Sequence, residues 1–134
     1  DGVPKLSCLT LAGQVQGADI ITVEGLSDGA HLAPIQTCFA THGGSQCGFC
    51  TPGFLVASQA LLNENNNPSR DEIAVAIEGN LCRCTGYQQI IDSIEAAAAI
   101  HRGEVEAVSP ASGPHSDPHP SGPEEPTMPP GHAK

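Results

Sequence analysis

The sequence predicts a mainly α fold: a four-helix bundle at residues 27–102, a β-rich remnant before it at 1–26, and a disordered tail after it at 103–134. Three observations lead there. Between Pro34 and Arg102 apolar residues recur at helical spacing, broken only by short polar or glycine-rich connections. Before them, the run from Asp19 to Glu24 has the β-branched density of a strand but no partner. Beyond residue 102 lie eight of the twelve prolines, with few large apolar residues to fold around.

In chain order, the remnant opens on the turn signal Asp1-Gly2, and its one cysteine, Cys8, reads from spacing alone as a small buried hydrophobe. Pro34 suits the first turn of helix one, Ile35, Cys38 and Phe39 share its face, and Gly43-Gly44 ends it. Cys38 is therefore read as core. Thr51 is placed to cap helix two with Pro52 at its first position, and Phe54, Leu55, Val56, Ala57, Leu61 and Leu62 make that helix largely buried. Ser69 and Glu72 have capping-box spacing for helix three, which buries Ile73, Ala76 and Ile77 and stops near Gly79-Asn80. Helix four is expected from about Tyr87 to Arg102, with Tyr87, Ile91, Ile94 and Ala98 on one face and His101-Arg102 suiting the negative end of the dipole.

Composition narrows the function. The 134 residues include three Phe, one Tyr and no Trp, thin material for a core, so a metal staple would help. A formal net charge of -10 argues against nucleic acid or an anionic membrane surface as partner. No apolar run reaches the length of a membrane span. No Ser/His/Asp set and no phosphate-binding glycine loop suggests unaided catalysis.

The chemistry lies in the cysteines. Cys47-Gly48-Phe49-Cys50 is a C-x-x-C, and Cys82-Arg83-Cys84, with thirty-one residues between the two runs, is a C-x-C. Together the two pairs make a full ligand set for a zinc ion or a [2Fe–2S] cluster, and spacing alone leaves these two near parity. A zinc-stapled interaction module therefore stands as one alternative. A dithiol oxidoreductase is a weaker one, because it lacks a βαβ context and leaves Cys82 and Cys84 without a role. Both pairs precede predicted helix N-termini, where free N–H groups stabilise thiolates and an anionic centre.

Longer stretches around the cysteines carry a resemblance. Gln46-Cys47-Gly48-Phe49-Cys50-Thr51-Pro52-Gly53, followed by Gly79-Asn80-Leu81-Cys82-Arg83-Cys84-Thr85-Gly86-Tyr87, resembles the iron–sulfur small subunit of the molybdenum hydroxylases. These are the xanthine dehydrogenase, aldehyde oxidoreductase and aerobic carbon monoxide dehydrogenase type of enzyme. The likeness runs from about Asp1 to Arg102. It implies a four-helix [2Fe–2S]-binding domain preceded by the end of a plant-ferredoxin-like β-grasp domain.

It also implies roles. Cys47, Cys50, Cys82 and Cys84 resemble the ligands of the proximal [2Fe–2S] cluster, Gln46 and Cys84 the contacts to the molybdopterin cofactor, and Cys8 the last ligand of a distal cluster. The other three distal ligands are expected before residue 1, so the chain is expected to be a fragment. The implied function is electron transfer from a molybdenum-cofactor large subunit, through [2Fe–2S] clusters, to an FAD-binding medium subunit or a cytochrome acceptor. A cytoplasmic setting is expected, with a periplasmic one left open by the start at Asp1.

Overall fold

The computed structural model describes residues 1–29 and 31–106. Four helices carry the fold: α1 (Pro34–Thr41), α2 (Thr51–Glu64), α3 (Arg70–Ile77) and α4 (Gln88–His101). The tail expected at 103–134 lies, apart from residues 103–106, outside the described residues.

Pro34 opens α1 at its first position, where a missing N–H leaves no bond unmade. The Gln36 side chain reaches back to accept the Ala33 N–H at 2.8 Å. The helix buries Ile35, Thr37, Cys38 and Phe39, so Cys38 is core, as its spacing predicted. α4 lies along α1 and contributes Ile90, Ser93, Ile94, Ala97 and Ala98 to the same core. The two approach closely at Gly44, where an added Cβ would lie 2.6 Å from Ser93 Oγ and 3.0 Å from the Phe39 ring. A side chain there would force the helices apart.

α2 adds Phe54, Leu55 and Leu62, and α3 adds Ile73 and Ile77. Each fully buried side chain of this size is worth roughly 1.5–3 kcal/mol, so a core this small depends on every one. α3 begins on the expected capping box: Ser69 Oγ accepts the Glu72 N–H at 3.3 Å, and the Glu72 carboxylate accepts the Ser69 N–H at 2.7 Å. An ionic clamp ties α3 to α4, with Arg70 reaching Asp92 at 2.9 Å and also Glu95.

Four expectations need correction. No strand occurs among the described residues; the 1–26 stretch forms 3-10 turns at Ser7–Leu9, Ala12–Val15 and Val23–Leu26 instead. With no neighbouring strand to pair with, the backbone closes local bonds, such as Gly25 N–H to Thr22 O at 3.0 Å. Cys8 is exposed on the first of these turns, so it is not the buried hydrophobe that spacing suggested. At helix two the cap is Cys50, not Thr51, because Cys50 is already in the right-handed helical region at φ -85° and ψ -15°. Helix four starts one residue late, since Tyr87 sits at φ 70° in the left-handed region, and Ile90 rather than Ile91 takes the fully buried position.

Candidate metal centre

Both cysteine motifs end in helix N-termini at the same end of the bundle. The first is a tight turn in which Gly48, at φ 82°, lets the chain fold back so that the Thr51 N–H reaches the Gly48 carbonyl at 3.2 Å. Cys50 then leads directly into α2. Thr51, freed from capping, meets Ser45 through their hydroxyls at 2.9 Å. The second motif is held from inside the bundle. The Tyr87 hydroxyl accepts the Cys82 N–H at 2.9 Å and donates to the Asn80 carbonyl at 3.2 Å. Its ring stands edge-on to Phe54, with centroids 6.0 Å apart.

The two motifs meet sulfur to sulfur. Cys84 Sγ lies 3.5 Å from Cys47 Sγ, and Cys50 and Cys82 lie close enough for each thiol to shift the other's pKa. Each pair thus takes one sulfur from each motif. Cys82 and Cys50 are the more enclosed pair, Cys47 and Cys84 the exposed one. All four are free thiols. Among the described residues, no three His, Cys, Asp or Glu side chains form a single-ion site. The arrangement is two pairs side by side.

The thiols are tuned unequally. The Thr85 hydroxyl, with the Thr85 and Cys84 N–H groups, brings Cys82 down to about 7. The Phe49 N–H and the thiol of Cys84 lower Cys47. Burial, followed by the neighbouring Cys82 thiol, raises Cys50, and donation to Cys47 raises Cys84. Such N–H and O–H donors favour thiolate, the form that binds metal. Four sulfurs in two cross-motif pairs, ringed by donors, fit a dinuclear iron–sulfur centre.

Comparison with known proteins identifies the domain. Residues 22–95 match the [2Fe–2S] binding domain family. The chain belongs to that family. It takes the form found in the small iron–sulfur subunits of the molybdenum hydroxylases. This [2Fe–2S] domain is 53% identical over 94 residues to the nicotine 6-hydroxylase small subunit of Paenarthrobacter nicotinovorans, covering 70% of this chain and 56% of that protein. Among solved structures it is similar to quinoline 2-oxidoreductase from Pseudomonas putida 86, with TM-score 0.70 and 54% identity over 78% of this chain and 67% of that one. It is also similar to the aldehyde oxidoreductase from Desulfovibrio gigas, with TM-score 0.74 and 39% identity over 80% of this chain and 12% of that one. The chain spans just over half the length of the small-subunit relatives it matches.

Around the sulfurs of the [2Fe–2S] domain the other candidate residues divide. Gln46 is exposed beside Cys47 at the same tip. Cys8 lies in the N-terminal turns, with no bond to the four. Four residues at the site carry no signal of their own in cysteine spacing. Thr85 and Tyr87 act through hydrogen bonds that only the folded loop reveals. Phe49 is 94% exposed beside the sulfurs, as Leu81 is at 84%. Large apolar residues set beside a cysteine in both stretches, Phe49 before Cys50 and Leu81 before Cys82, were the available clue.

Proposed function

We propose that this chain is the electron-transfer subunit of a molybdenum-containing hydroxylase, an oxidoreductase component that does not catalyse alone. The observation that carries the reading is the meeting of the two motifs at Cys47 and Cys84, 3.5 Å apart, in a chain of the [2Fe–2S] family. Cys47 with Cys84 would hold one iron and Cys50 with Cys82 the other. When bound, the cluster supplies one-electron transfer at a potential set by hydrogen bonding and burial.

The chain's own residues do the rest. Phe49 and Leu81 present apolar surface beside the exposed sulfurs, a surface suited to docking on a large subunit that holds the molybdopterin cofactor. Gln46 and Cys84, at that tip, would face the cofactor. Electrons would leave toward FAD in a further subunit or a cytochrome. Cys8 would serve a distal cluster, and residues 1–26 would close a ferredoxin-like domain, in a longer chain that supplies the remaining ligands. Under this reading, 27–102 is the cluster domain and 103–134 an appendage. Among the described residues no helix is long and apolar enough to cross a membrane.

The test is the anaerobically purified complex. Iron and labile sulfide, with a [2Fe–2S] EPR signal on reduction, are expected, and Cys→Ser at any of Cys47, Cys50, Cys82 and Cys84 should abolish or distort the signal. Stoichiometric zinc without labile sulfide would replace the reading with a zinc-stapled module. Neither metal, with a reversible disulfide, would make it a dithiol protein.

A further inference from the structure

We propose that Thr85 sets the reduction potential of the centre by donating its hydroxyl to the Cys82 thiolate; this rests on the electron-transfer reading above. Thr85 Oγ1 lies 3.2 Å from Cys82 Sγ, and the Thr85 N–H points at the same sulfur at 3.5 Å. Distance alone leaves open which partner donates. The thiolate decides it, while the Tyr87 N–H, donating to Thr85 Oγ1 at 3.2 Å, occupies one lone pair and orients the hydroxyl. A metal-bound thiolate has no hydrogen to give, so the hydroxyl is the donor.

The relay is Tyr87 N–H to Thr85 Oγ1, then Thr85 O–H to Cys82 Sγ. Its geometry is built in. Tyr87 is held in the left-handed region at φ 70°, a conformation disfavoured for a bulky side chain, and its hydroxyl pins the Cys82 N–H from the other side. That fixes both ends of the Cys82–Tyr87 loop, so the Thr85 hydroxyl has one sulfur within reach. Among the described residues no other hydroxyl bonds a cysteine sulfur.

The consequence is electrostatic. Reduction adds one electron, supplied by the molybdenum partner, without making or breaking a bond, and the hydroxyl proton stays on Oγ1. The added negative charge falls partly on the sulfurs, where a fixed O–H dipole favours it. Thr85 therefore makes the centre a better electron acceptor. It is a positioning and tuning residue, not an iron ligand.

The test is an EPR-monitored redox titration of the purified complex. Thr85→Val keeps the shape and removes the donor; its midpoint should move to a more negative potential, and Thr85→Ser should return it close to wild type. A Thr85→Val midpoint equal to wild type, in a complex whose wild type carries the cluster, overturns this inference and leaves the function standing. Should Thr85→Val assemble no cluster, Thr85→Ala is titrated in its place. Loss of the cluster in both overturns tuning, since the residue would then be needed for assembly. A wild-type complex with no cluster signal overturns the proposed function and this inference together.

Discussion

The hydroxyl of Tyr87 accepts the backbone N–H of Cys82 at 2.9 Å, so a ligand loop at the bundle tip is braced by a side chain rooted at the start of α4. The same oxygen donates to the Asn80 carbonyl, and the ring rests edge-on against Phe54. One residue therefore links the apolar interior to the position of a sulfur.

Tyr87→Phe separates the two halves of that role. The ring and its Phe54 contact remain, while the Cys82 N–H and the Asn80 carbonyl lose their partner. Leaving part-buried backbone groups unpaired costs roughly 1–3 kcal/mol. The variant should melt lower than wild type and lose iron to a chelator several-fold faster. Equal bleaching rates and equal melting temperatures would show that the hydroxyl braces nothing.

Glu72 gives a pH dependence with a definite sign. Its carboxylate accepts the Ser69 N–H at 2.7 Å and the Ser69 hydroxyl at 2.8 Å, and these bonds hold its folded pKa below the ordinary glutamate value. A group depressed in the folded state contributes fully above its unfolded pKa and loses that contribution as pH falls through the folded one. Glu72→Ala should therefore melt below wild type near neutrality, and the gap should narrow on the acid side of the ordinary glutamate range. Melting curves across pH check this; a gap that stays constant into acid would remove the carboxylate from the explanation.

Gln46 tests the electron route. Gln46→Ala should leave the cluster assembled but either lower molybdopterin occupancy or slow cluster reduction by substrate in rapid-mixing experiments. Gln59→Ala is the control, since Gln59 lies on α2 and bonds Asn63 at 2.8 Å. Full occupancy with wild-type reduction rates in Gln46→Ala would return Gln46 to an ordinary surface residue.

The helices and the meeting of the cysteines were legible because both depend on local rules. Pro34, the Ser69–Glu72 box and the apolar spacing of α1 act within one turn, and two short thiol motifs before helix starts lead to a shared end. Asp19 to Glu24 misled because β-branched residues express a preference that only a neighbouring strand can satisfy. Thr51 misled for a different reason: the turn through Gly48 brings Cys50 into helical conformation a residue early. Tyr87 could not be placed from periodicity, since its left-handed backbone breaks the helical count and its partners, Cys82 and Phe54, come from separate segments.

The pairing of Cys47 with Cys84 has a topological meaning as well. Those residues are 37 apart in sequence and enclose the whole α2–α3 hairpin. Any centre that joins them turns an open hairpin into a closed ring. For a covalent bridge around a ring of that size, the unfolded chain loses conformational freedom worth about 4 kcal/mol.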